Sequence, residues 1–174
     1  MRLLVTYLKA EEWKKFSKLR ENSIIGSIFG GCLLSEVVCE LCKNKSYTFE
    51  NTLDLSLDIP PPKTLLSLRS STAYLTKCLE SFTSEVTVAE YLCSKCKKKG
   101  KSKRRVMIWK QPDILVIQFK RFIHDKHGRL EVLKSHVEFP TQDLDLQPYT
   151  HKESRGSELI FMEIKIFGRK SRKI

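Results

Sequence analysis

Glycine and proline are scarce, seven and six residues in a chain of 174, which excludes collagen-like repeats and Gly- or Pro-rich low-complexity segments. Long apolar runs are missing too. The longest, LLVTYL near the start and DILVIQF further on, fall well short of the roughly 20 residues that span a bilayer, so no membrane partner is expected. The first residues lack an apolar core with a small-residue cleavage site, because Lys9, Glu11 and Glu12 interrupt them. A secretory route is therefore not expected, and the chain reads as nuclear or cytoplasmic. Acids are also in deficit: 20 Asp and Glu stand against 32 Lys and Arg, a formal charge of +12.

What is present is ordinary for a folded domain. Hydrophobic residues make up 41% and charged residues 30% of the chain, enough to bury one real core, and the length argues against a confident division into two. The positive charge is concentrated. Residues 93 to 110 hold nine Lys or Arg and no acid, and the chain also ends in a basic stretch, GRKSRKI. Such a cluster draws anions and invites a weak electrostatic contact with nucleic acid or an acidic chromatin surface. Yet aromatic residues are not interleaved with it, as a base-stacking platform requires, and no helix is patterned to read base edges. A solvated basic hairpin is the plainer reading.

Six cysteines lie at 32, 39, 42, 78, 93 and 96. Four form two pairs, CELC at Cys39 and Cys42 and CSKC at Cys93 and Cys96. Two residues between sulfurs let both thiolates of a pair meet one ion from a tight knuckle, and two such knuckles complete the tetrahedral shell of structural zinc. A redox pair would need its first sulfur at a helix N-terminus, whereas Cys39 follows the strand-like SEVV. A disulfide framework would need an oxidising compartment. Ordinary reduced thiols remain as an alternative. Cys32 in FGGCLL and Cys78 in LTKCLESF belong to neither pair and read as buried small hydrophobes.

Along the chain, YLKAEEWKKFSKLR over residues 7–20 predicts a short amphipathic helix carrying Leu8, Trp13, Phe16 and Leu19. Gly26, Gly30 and Gly31 are expected to break it. The period then turns toward two, with LLSEVV as one strand and SYTFENTLDLSLDI as another, the latter alternating Leu53, Leu55, Leu57 and Ile59 until IPPPK stops it. A helix from about Tyr74 to Phe82 puts Leu75, Cys78, Leu79 and Phe82 on one face. Further strands are expected at Arg104–Trp109 and Ile114–Phe122, the second as the central strand of the main sheet, then at VLKSHVEF and near Leu159–Ile166. HDKHGR reads as a turn at Gly128. The fold class that follows is α+β: a zinc-tied β-ribbon joined to a mostly antiparallel sheet with one or two helices.

The stretches IFGGCLLSEVVCELC, SYTFENTLDLSLDIP, LTKCLESFTSEVTVAEYLCSKCKKK, QPDILVIQFKRF and HVEFPTQDLDLQPY together resemble the ubiquitin-specific protease family of papain-like cysteine deubiquitinases, in their order and spacing. The resemblance implies three parts: residues 1–27 as an N-terminal amphipathic helix and linker, 28–150 as the fingers and palm portion of the protease domain, and 151–174 as a divergent C-terminal strand and basic tail. It implies that Cys39, Cys42, Cys93 and Cys96 hold a structural zinc ion at the fingertips, and that ubiquitin or a ubiquitinated protein is the partner. LDLSLDIP, with IFGG ahead of it, is most similar to members that work in a nuclear or histone setting.

The family's nucleophile sits in an asparagine-threonine-cysteine box far upstream of the fingers, and its catalytic base in a glycine-histidine-tyrosine box after the palm. Neither box is matched here. His124, His127, His136 and His151 are expected in solvent-facing turns and loops, and no catalytic residue is assigned. The expectation is a fragment of a thiol isopeptidase that retains at most ubiquitin binding. The alternative is a noncatalytic zinc ribbon that binds protein or nucleic acid.

Overall fold

A computed structural model describes residues 8–15, 23–60, 72–124, 127–141 and 143–154. The elements are α1 (residues 8–15), α2 (Ile24–Phe29), β1 (Gly31–Cys39), β2 (Lys45–Thr52), β3 (Leu55–Asp58), β4 (Ala73–Tyr74), α3 (Leu75–Phe82), β5 (Val86–Leu92), β6 (Lys99–Lys110), β7 (Ile117–Lys120), β8 (Phe122–His124), β9 (Leu130–Val132) and β10 (Val137–Glu138). Single 3-10 turns follow at Gln147–Tyr149 and Lys152–Ser154.

The largest sheet is antiparallel with strand order β2-β1-β6-β5. Its two long inner strands run in register from Leu33 opposite Ile108 to Cys39 opposite Ser102. Neighbouring residues of one strand point to opposite faces, and the lower half of this sheet uses both. Ile108, with Leu33 against it, joins a core of Leu55, Leu57, Ile59, Leu75, Cys78, Leu79, Val137, Leu144, Leu146 and Tyr149. Leu34, with Cys32, Trp109 and Ala10, forms a second core closed by Trp13, Tyr47 and Phe49. Helix α1 thus covers one face through Ala10 and Trp13, whereas Leu8, expected on the apolar side, is 54% exposed. Its expected continuation over residues 16–20 lies outside the described residues. Farther out the sheet loses this cover, and the outer residues of β5 alternate only between exposed and half-exposed. Packing cannot hold that end.

Cys32 and Cys78 are buried, at 1% and 0% exposure, as small core hydrophobes. In α3 the face of Leu75, Cys78 and Leu79 is buried and Phe82 packs against the same core. Gly128 takes a left-handed φ of 74° in its turn.

Several sequence expectations are corrected. Gly26 does not interrupt a helix but lies inside α2, which Ser23 caps by accepting a bond from Gly26 N at 3.1 Å. The break comes at Gly30, where a Cβ would stand 2.0 Å from Gly26 O. The run SYTFENTLDLSLDI is two strands, because the chain bends at Leu53 and Asp54 and Leu55 N turns to donate to Val116 O at 2.8 Å. Residues 114–122 are not the central strand of the main sheet. Ile117–Lys120 is a strand that pairs with β3 in a separate parallel pair, Leu57 opposite Phe119, and Phe122 already opens β8. Within the apolar run Leu115, Ile117 and Phe119 pack against the first core, while Ile114 and Val116 are exposed. VLKSHVEF contributes only its ends, the last residues pairing in parallel with β4. The strand expected near Leu159–Ile166 lies outside the described residues.

Candidate metal centre

The turn from β1 to β2 and the turn from β5 to β6 repeat one local geometry. In the first, Lys43 N donates to Cys39 O at 2.9 Å and Cys39 N donates to Asn44 O at 3.0 Å. In the second, Lys97 N donates to Cys93 O at 2.9 Å and Cys93 N donates to Lys98 O at 3.1 Å. Each knuckle closes through a residue in the left-handed region directly after its second cysteine, Lys43 at φ 55° and Lys97 at φ 56°. This folds both sulfurs of a pair to the same side. Because β1 and β6 are neighbours, the two knuckles meet at one end of the sheet.

The four sulfurs converge across the knuckles. Cys39 Sγ lies 4.0 Å from Cys96 Sγ, and Cys42 Sγ lies 3.6 Å from Cys93 Sγ. All four lie within 4.8 Å of one another. A tetrahedron with zinc–sulfur bonds of about 2.3 Å has edges of about 3.8 Å, so the group fits such an ion without rearrangement. Cys39 and Cys93 are buried while Cys42 and Cys96 are half-buried, which suits a structural centre closed to substrate.

Electrostatics point the same way. The backbone N–H of Cys96, helped by that of Lys95, holds the Cys93 thiol down at about 6 despite its burial. At Cys42 a backbone bond from Asn44 pulls the other way, but burial and the three neighbouring thiols push it up to about 11. Sulfurs this close resist ionising together unless a cation stands among them. A divalent ion with four thiolates remains anionic, and Lys43, Lys95, Lys97 and Lys98 lie close to the ligand cysteines in sequence, so part of the basic stretch is suited to offset that charge.

Some cations farther down the sheet are already engaged. Lys103 pairs with Glu85 at 2.7 Å, and Lys45 with Glu36 at 2.9 Å. Arg105 Nε donates to Thr83 O at 2.9 Å, and Arg104 Nε to Ser35 Oγ at 3.2 Å.

Of the histidines, His124, His127 and His136 are exposed. His151 departs from expectation. It is half-buried, with its ring 5.4 Å from that of Trp109 and its Nδ1 accepting from Glu153 N at 3.3 Å. His151 N also donates to Ile108 O at 2.9 Å, so a loop that looks polar in sequence is clamped to the end of β6. Burial lowers the imidazole's pKa, partly opposed by Glu153 and Glu36 and reinforced by Lys45 and Arg105. The unfolded chain then takes up a proton more readily than the fold does. The contribution is complete above the ordinary histidine value of about 6.5 and is lost as pH falls through the lower folded value. Urea midpoints, read with metal saturating, will therefore drop between about pH 7 and pH 5, and His151→Asn will flatten that part of the profile. An unchanged slope in the variant would contradict the assignment.

The ubiquitin carboxyl-terminal hydrolase family profile matches residues 2–159. The chain is 39% identical over 147 residues to human ubiquitin carboxyl-terminal hydrolase 3, covering 79% of this chain and 28% of that protein. It is 32% identical over 154 residues to ubiquitin carboxyl-terminal hydrolase 8 of Saccharomyces cerevisiae, covering 86% and 30%. Among solved structures, the SAGA Ubp8/Sgf11/Sus1/Sgf73 DUB module bound to ubiquitin aldehyde superposes with a TM-score of 0.63 at 32% identity, covering 76% of this chain and 27% of that one. The chain thus spans less than a third of the length of these relatives. With a profile match over nearly its whole length, this chain belongs to the ubiquitin carboxyl-terminal hydrolase family.

Proposed function

We propose that this chain is the zinc-tied ribbon and adjoining sheet of a cysteine-type deubiquitinase, and that its own role is to hold ubiquitin. The observation that carries the reading is the convergence of Cys39, Cys42, Cys93 and Cys96 at the end of a four-stranded sheet in a chain of this family. These four would hold the zinc, which supplies cross-linking and folding energy when bound rather than a catalytic water. The solved relative was captured with ubiquitin aldehyde, and this supports ubiquitin as the partner here.

Hydrolysis of the ubiquitin isopeptide bond is assigned to the whole enzyme, through a cysteine and a histidine that this chain does not supply. Thiol catalysis needs an accessible, readily ionised sulfur. Cys32 and Cys78 are buried, and burial pushes the Cys78 thiol up, so neither suits the role.

Ubiquitin binding by the zinc-loaded chain, followed by NMR titration, is expected to survive a rise in salt from about 0.1 to 0.5 M. A ubiquitin-derived electrophile is expected to form no adduct. Absence of binding at either salt would overturn the role as a ubiquitin holder. A covalent adduct would overturn the assignment of catalysis elsewhere. Binding to nucleic acid that collapses over the same salt range, with ubiquitin ignored, would favour the basic-ribbon alternative.

A further inference from the structure

Among the described residues, four serines and threonines are buried, Ser35, Thr83, Ser102 and Thr150. Three have clear partners: Ser35 Oγ accepts from Arg104 Nε at 3.2 Å, Thr83 Oγ1 donates to Leu79 O at 2.9 Å, and Thr150 Oγ1 donates to Leu146 O at 2.9 Å. Ser102 is different. It is fully buried at 0% exposure, and its Oγ has no hydrogen-bond partner. Leaving a buried hydroxyl unpaired costs free energy, and a small apolar residue would avoid that cost.

The position of Ser102 supplies a reason. On β6 it stands opposite Cys39 of β1 on one side and Val88 of β5 on the other. Glu40 N donates to Lys101 O at 3.1 Å, which makes the neighbouring pair of Cys39 and Ser102 a non-hydrogen-bonded one. Side chains of such a pair share a face and approach more closely than those of the alternate pairs. The buried hydroxyl therefore sits on the same face of the sheet as the side chain of a ligand cysteine. The Cys39 sulfur lies 4.0 Å from Cys96 Sγ, another member of the four. As a metal-bound thiolate it becomes a strong acceptor in need of donors, and groups that supply them orient the ligand and tune the ion.

We infer that Ser102 is a positioning residue of the metal centre, its hydroxyl donating to the Cys39 thiolate once the four sulfurs hold their ion. The inference depends on the zinc reading of the four cysteines. It makes the strand beside the knuckle, and not only the knuckle, part of the centre.

The test uses the full 174-residue chain loaded with zinc or with cobalt(II), whose thiolate charge-transfer absorption reports on the sulfurs. Competition against a chelator should show Ser102→Ala holding zinc about tenfold more weakly. Its charge-transfer band should move to lower energy, because a thiolate without a donor gives up electron density more easily. Ser102→Thr, which keeps the hydroxyl, should match the wild-type band and affinity. The charge-transfer band of the loaded chain reads the bound state whether or not the metal-free variant is folded. Equal weakening in both variants would overturn the inference in favour of packing at this position, as would wild-type affinity and spectrum in Ser102→Ala. A wild-type chain that gives no four-thiolate cobalt spectrum would refute the zinc reading itself, and the role of Ser102 with it.

Discussion

Chelation of the metal will melt the outer half of the four-stranded ribbon, and Cys39→Ser will reproduce the loss without a chelator. Apparent binding free energies for structural zinc run to about 10–16 kcal/mol in small metal-folded domains, as large as the whole stability of a typical domain at about 5–15 kcal/mol. Few packing contacts stand in reserve here. Toward the knuckles β2 and β5 carry mostly exposed or half-exposed side chains, while both cores gather at the other end of the sheet. The ion joins sulfurs 51 and 57 residues apart in sequence, a long loop to close by chain entropy alone. The expected measurements are one zinc per chain in the wild type and none in Cys39→Ser, with amide exchange protection lost from β5 and the outer part of β6. Protection in β3 and α3 should persist longer, since those elements share the first core. If chelation leaves exchange in β5 unchanged, the sheet holds itself and the four sulfurs are not a folding site.

The convergence of the four sulfurs was legible in the sequence because its signal is local. Each pair of sulfurs is closed within one turn, and the same Cys-x-x-Cys-Lys pattern occurs twice, with the lysine in the left-handed position both times. The face of α3 was legible for the same reason, since a period of about 3.6 residues needs no partner to be read. Strand partners were not. An apolar run such as ILVIQF does not say which ladder it joins: Ile117–Lys120 pairs with β3 alone, and Ile114 and Val116 are exposed. His151 was missed because its neighbours in sequence are polar. Its burial comes from Trp109 and Ile108, more than forty positions away. Ser102 was invisible for a related reason: serine in a lysine-rich strand looks solvent-facing until the register sets it across from Cys39.

Leu57→Ala will destabilise the zinc-loaded chain by about 2–5 kcal/mol, whereas Leu53→Ala, in the same alternating run, will change it by less than about 0.5 kcal/mol. The sequence pattern treats the two leucines alike. The structure separates them at the bend after β2: Leu53 is 50% exposed, and Leu57 is 0% exposed. Leu57 lies opposite Phe119 in the parallel pair and within the same core as Leu55, Leu75, Leu79 and Ile108. Truncating it leaves a cavity between the sheet pair and α3, lined by side chains on three elements that cannot all move inward. Since Ile108 belongs both to this core and to β6, the loss should spread toward the base of the ribbon without reaching the sulfurs. Urea unfolding of the two variants gives the ratio directly, and zinc content should remain at the wild-type level in both. Equal costs at the two positions would mean that β2 runs straight into β3, and the parallel pairing with β7 would then have to be abandoned.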